Sequence, residues 1–295
     1  MLRLTLAALL ALPVFAVAQD DPLKAQKAAA ADAMKRVGAQ KIAVAETNSI
    51  LLTTTFPEAK APALAAAGQK GYDSAVKLLK VTEPAKLWPG KLTVFVLPVR
   101  NNYSSFVRLI VNGRPEASEF RRVNPLTDAP FVLVGVEPGT TATDANLAEA
   151  VSRAAAEVVL RRKFGTRTTA TPLPYWLTEG FDTVAVARAD GNAAKLAALR
   201  AKQRAVFSRR TVGTFKVGDV WGADRGKNQD VIEASFVEFL LTDGEGVFDK
   251  FASAYKPGEG GQSGTTATAL DAVMWKDDAA LDAKWKAWML KHLSR

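Results

Sequence analysis

The chain contains no cysteine and only one histidine, His292, close to its C-terminal end. Without cysteine there is no disulfide, no lipobox for lipid anchoring, no thiolate metal ligand and no Cys-His nucleophile pair. With one histidine beside a chain end, where residues fray into solvent, a Ser-His-Asp mechanism has no well-placed base. After the first 18 residues no run is long and apolar enough to span a bilayer. Interleaved aromatics are missing from the basic clusters, which argues against nucleic acid as a partner. These clusters are Arg161-Arg162-Lys163, Arg200/Lys202/Arg204, Arg209-Arg210 and Lys284/Lys286/Lys291. They read first as solvated helix faces and second as attraction for an anionic envelope polymer.

What is present bounds the class. The chain has 295 residues, 48% of them hydrophobic, enough for a sizeable core. Residues 1–18 carry Arg3, an apolar run and the ending Ala16-Val17-Ala18. This is the pattern of a secretory signal peptide cleaved between Ala18 and Gln19. Its removal takes one positive charge from the formal +9 and leaves +8. The expectation is an exported protein, secreted or periplasmic. Export without cysteine suits a bacterial envelope better than a eukaryotic secretory route.

Propensity and periodicity divide the rest into two parts, 19–139 and 140–295. The first reads as α/β: helices over 22–38 and 62–80, a pair of strands within 42–56, a strand over 91–97, a short helix over 103–111 and a strand over 130–136. The second reads as helices only, over 144–164, 176–188, 193–207, 230–241, 247–255, 268–275 and 278–293, with a Gly-rich loop over 257–264. The fold class is α+β: a small N-terminal mixed sheet with helices, then an all-helical part.

The segment Leu173-Pro174-Tyr175-Trp176-Leu177-Thr178-Glu179-Gly180-Phe181 resembles the P-x-W-L-x-E-G segment of gluzincin zinc metallopeptidases, in particular their peptidase MA-like branch. The resemblance extends over roughly 40–295. It includes the 234–241 helix and the tail from 269 to 288, and it lacks the tyrosine often found near the start of the former. It implies a zincin-like fold and makes Glu179 the counterpart of the third zinc ligand. In such enzymes the first two ligands come from H-E-x-x-H on the preceding helix, whose i and i+4 positions share one face. Aligned on the Val158-Val159-Leu160 run, Arg153 stands at the first histidine, Ala154 at the general-base glutamate and Glu157 at the second histidine. A second register, over Ala148–Ser152, keeps the central Glu149 and also lacks histidine.

The resemblance therefore implies a metallopeptidase scaffold that has lost its metal ligands: no catalytic residues, no metal and no cofactor. Such a pseudo-peptidase would act by binding a peptide, a protein or an envelope component. The competing class is an active secreted metallopeptidase with unusual ligands, or a hydrolase using Glu157 and Glu179 as a carboxylate pair. The blander reading gives Glu179 a role at a helix start and makes Arg153 and Glu157 a surface pair. The sharper one places the Arg153 guanidinium between Glu157 and Glu179, one cation standing in for another.

Overall fold

This computed structural model describes residues 22–125, 129–165, 173–208, 211–222, 226–256, 264–275 and 277–293. The expected signal peptide and its cleavage point lie outside these residues, as do Arg209-Arg210 and most of the 257–264 loop.

Chain order is α1 (Pro22–Arg36), β1 (Ala43–Glu46), β2 (Ile50–Thr54), α2 (Ala61–Leu78), β3 (Leu92–Val96), α3 (Arg100–Leu109), β4 (Arg121–Asn124) and β5 (Phe131–Val134). It continues with α4 (Asp144–Phe164), α5 (Tyr175–Arg188), α6 (Ala193–Val206), α7 (Gly218–Trp221), α8 (Gln229–Thr242), α9 (Val247–Ser253), α10 (Thr266–Ala272) and α11 (Asp278–Leu293). The molecule is α+β, with the sheet in the N-terminal half and helices alone after it.

The sheet runs β1-β2-β3-β5-β4. β2, β3 and β5 are mutually parallel, and β1 and β4 are antiparallel edges. The parallel strands are buried along nearly all their length, mostly by apolar residues with Thr53, Thr54 and Thr93 among them, because both of their faces are covered. Side-chain alternation sorts them. Leu51, Phe95 and Leu133 face a small core closed by Met34 of α1 and Tyr103, Phe106 and Val107 of α3. Ile50, Leu52, Val94, Val96, Val132 and Val134 face the large core under α2 and α4. That core continues through α5 and α8 to α11, joining the two halves.

Two glycines set how closely the helices approach. A Cβ on Gly71 of α2 would lie 2.1 Å from the Ser152 carbonyl oxygen of α4. A Cβ on Gly180 of α5 would lie 2.7 Å from the Glu233 carbonyl oxygen of α8. Backbone lies against backbone at both crossings, and only glycine leaves room. The glycine of the W-L-x-E-G segment thus seats α5 on α8. Around it Trp176 packs on Trp221, Phe236 and Phe251, and Phe236 packs on Trp285. The tryptophans behave as packing residues.

Helix α4 begins at Asp144, but its cap is Thr143, whose hydroxyl accepts from the Asn146 amide at 3.2 Å. His292 stacks on Trp288 with ring centroids 4.8 Å apart and hydrogen-bonds the Trp288 carbonyl. It is therefore held on the last turn of α11 instead of fraying away. The basic run 161–163 also departs from the solvated-face expectation. Arg161 pairs with Glu157, the Arg162 Nε donates to the Leu87 carbonyl at 2.7 Å, and Lys163 pairs with Asp249 at 2.7 Å.

Candidate functional site

The site forms where edge strand β4 meets helices α4 and α5. β4 pairs antiparallel with β5, with Arg121 opposite Val134 and Val123 opposite Val132. Arg121 and Val123, two apart, share one face of the strand. Val123 packs on the large core, and Arg121 reaches the carboxylates of the two helices. On α4 the residues Glu149, Arg153, Glu157 and Arg161 recur every fourth position and line one face. On α5 Glu179 and Asp182 stand three apart, again on one face.

Arg121 is the hub. One guanidinium nitrogen, Nη2, donates to Glu179 Oε1 and lies 3.5 Å from Glu157 Oε2. The other, Nη1, lies 3.0 Å from Asp182 Oδ2. Burial alone would lower the Arg121 pKa, but Asp182, Glu157 and Glu179 outweigh it and raise the pKa. Glu157 is also held by Arg161, whose Nε donates to Oε1 at 2.6 Å.

Asp182 is fully buried, and neither of its oxygens has a well-aligned hydrogen bond. The 3.0 Å approach of Arg121 is an ion-pair distance without hydrogen-bond alignment. Burial pushes the Asp182 pKa well above the usual carboxylate range. Arg121 opposes this, and Glu157 and Glu179 add to it. The environment thus works against the charged form of Asp182, and Arg121 is the cation beside it that works most strongly for that form.

Beside the cluster a cavity of about 580 Å³ opens between β4 with its preceding segment, the loop after β5, and the N-terminal half of α4. Arg121, Arg153, Tyr175 and Glu179 line it; Glu157 and Asp182 do not. Tyr175, 60% exposed, is among the residues that line this cleft. Glu179 is therefore the one member of the Glu157/Glu179/Asp182 trio that reaches the cleft, and Arg121 holds it.

Each expected site residue now has a place. Glu157 and Glu179 come together through a shared partner. That partner is Arg121 from the sheet, and this corrects the expectation for Arg153. The Arg153 Nη1 lies 3.5 Å from Glu179 Oε2, but its other contact is Glu149 Oε1, also at 3.5 Å, and it makes no ion pair with Glu157. The reason is register: Arg121 enters from the strand between the two helices, while Arg153 stands one turn nearer the N-terminus of α4 than Glu157. Ala154 is fully buried in the large core, so a methyl group packs where the alignment places a general base.

Sequence reasoning missed Arg121, because the Arg121-Arg122-Val123-Asn124 stretch has no period-2 pattern. It also missed Asp182 and, outside the site, another buried carboxylate, Glu238 of α8, which has no exposure. Arg188 donates to it at 2.9 Å, Arg200 at 2.5 and 2.8 Å, and Gln203 at 3.0 Å. A glutamate inside the apolar run Phe236-Val237-Glu238-Phe239-Leu240-Leu241 was the available signal. It is fully satisfied and braces α5 and α6 on α8.

The residues present do not suit a zinc ion. Imidazole is absent from the aligned positions, and a guanidinium stands among the carboxylates. Among the described residues no three Asp, Glu, His or Cys side chains converge in a way that could hold a metal ion. No protein-family model matches the chain, and no curated protein matches it.

Proposed function

We propose that the chain is an exported, non-catalytic relative of the gluzincin peptidases that works by binding a peptide, a protein or an envelope component in its cleft. The observation that carries this reading is Arg121. It stands between Glu157 and Glu179, where the resemblance would put the metal. A permanent cation there keeps the carboxylates paired without zinc. The packing of α4 against α5, with Glu179 turned toward the 153–157 face, supports the alignment.

The competing readings find less support. A hydrolase using Glu157 and Glu179 as its carboxylate pair needs both on the substrate, and of these two only Glu179 lines the cleft. A metallopeptidase needs a general base beside its metal, and position 154 carries a buried methyl. β4, the last strand of the sheet and part of the cleft wall, instead suits an extended ligand strand. Export rests on the residues 1–18 pattern, and no described helix is long and apolar enough to cross a membrane.

The test is elemental analysis after dialysis against zinc, together with a peptide-hydrolysis assay on the same sample. The expected outcome is no stoichiometric zinc and no zinc-dependent cleavage. One tightly held zinc per chain would overturn the reading.

A further inference from the structure

The arginines around the cleft differ in what their donors do. Arg121 is shared among three carboxylates, Arg161 donates to Glu157, Arg122 donates to Glu119, and Arg100 donates to the carbonyls of Glu116 and Glu119. Arg153 is the exception. It lines the cavity and its side chain is 24% exposed. Its guanidinium makes only long contacts, 3.5 Å to Glu149 Oε1 and 3.5 Å to Glu179 Oε2.

Both of those neighbours have a closer cation. Glu179 accepts from Arg121, and Glu149 accepts from Lys195 at 2.8 Å. Burial works to raise the Glu149 pKa, but Lys195 and Arg153 outweigh it and lower it, so this carboxylate keeps its charge. Glu149 and Glu179 each have a closer cation, so the Arg153 guanidinium, held only by long contacts, keeps donors that a ligand in the cleft can take. Its planar fork fits a carboxylate in bidentate geometry.

We propose that the ligand enters the cleft through a free carboxylate, which the Arg153 guanidinium receives. This rests on the cleft being a peptide-binding site and names the chemistry it selects: a peptide offering its C-terminal carboxylate or an Asp or Glu side chain. A cavity of about 580 Å³ has room for a short segment. The Tyr175 ring gives that segment an apolar surface beside the charge.

The experiment is an NMR titration that follows the Arg153 Nε–Hε signal. The probes are acetyl-trialanine with a free carboxylate, its carboxamide, acetyl-Ala-Glu-Ala carboxamide, and N-acetylalanine. A carboxylate-bearing peptide should bind about tenfold or more tightly than the uncharged carboxamide. The better of the two carboxylate arms identifies the source as chain end or side chain. Arg153→Gln should abolish the preference while leaving the melting temperature close to that of the unaltered protein, and Arg153→Lys should keep part of it.

Equal binding of acid and amide peptides, or a preference that survives Arg153→Gln, overturns the carboxylate contact and leaves the peptide reading standing. N-acetylalanine binding at Arg153 with no gain from any peptide keeps the contact and contradicts the peptide reading. An Arg153 signal unmoved by every probe up to about 10 mM, an affinity below about 3 kcal/mol, overturns the inference.

Discussion

Arg121 holds three acidic groups that would otherwise crowd together with little solvent. Arg121→Met keeps similar bulk and removes the charge. It should destabilise the protein by about 3–5 kcal/mol, the range for breaking a buried ion pair from one side. Arg153→Ala should change stability by less than about 1 kcal/mol, because its contacts are long and partly exposed. Chemical denaturation of the two variants decides between the cations, and the reverse ranking would restore Arg153 as the hub. Asp182 adds a pH dependence. Its folded-state pKa is raised, so its contribution is fully present below the unfolded value of about 4 and is lost as pH rises toward the folded one. Asp182→Asn keeps the shape and cannot ionise. Relative to the unaltered protein, the variant should gain stability as pH climbs through that window. A difference that stays flat with pH would contradict the assignment of a raised pKa.

The elements show which parts of the sequence spoke locally. Helix α11 covers the residues its periodicity predicts, and α1, α2, α5, α6 and α8 agree within about two residues at their ends. Their signals are apolar spacing and turn residues, which are local. β4 was invisible because nothing within Arg121–Asn124 marks a strand; its partner β5 and the core under Val123 make it one. The site was half legible for the same reason. Glu157 and Glu179 belong to helices with readable patterns, whereas the residue between them comes from an edge strand set by long-range pairing. Close helix crossings were equally silent until Gly71 met the Ser152 backbone. Gly71→Ala forces a methyl group to within 2.1 Å of a carbonyl oxygen in a packed core. The expected loss is at least about 1–3 kcal/mol, as for other overpacked sites. A thermal melt should show it as a drop in midpoint, and an unchanged or raised midpoint would mean that α2 and α4 lie further apart.

At the scale of the whole molecule, the mixed sheet, the α4–α5 pair and the helical remainder share one core, and a charged hub sits where the strand edge meets the two helices. On the proposed reading, the guanidinium of Arg121 occupies the place of a metal, and positions 153 and 157 carry no histidine to hold one. A zinc site here therefore requires four substitutions at once. Arg153→His, Ala154→Glu and Glu157→His would restore the H-E-x-x-H pattern alongside Glu179, yet Arg121 would still stand between the ligands. Calorimetric titration of zinc into this triple variant, with and without Arg121→Ala, is the most direct measurement. No tight binding is expected while Arg121 remains, and one zinc per chain once it is removed. A folded quadruple variant that ignores zinc would contradict both the alignment of 153 and 157 with lost ligands and the role of Arg121 as the cation in their place.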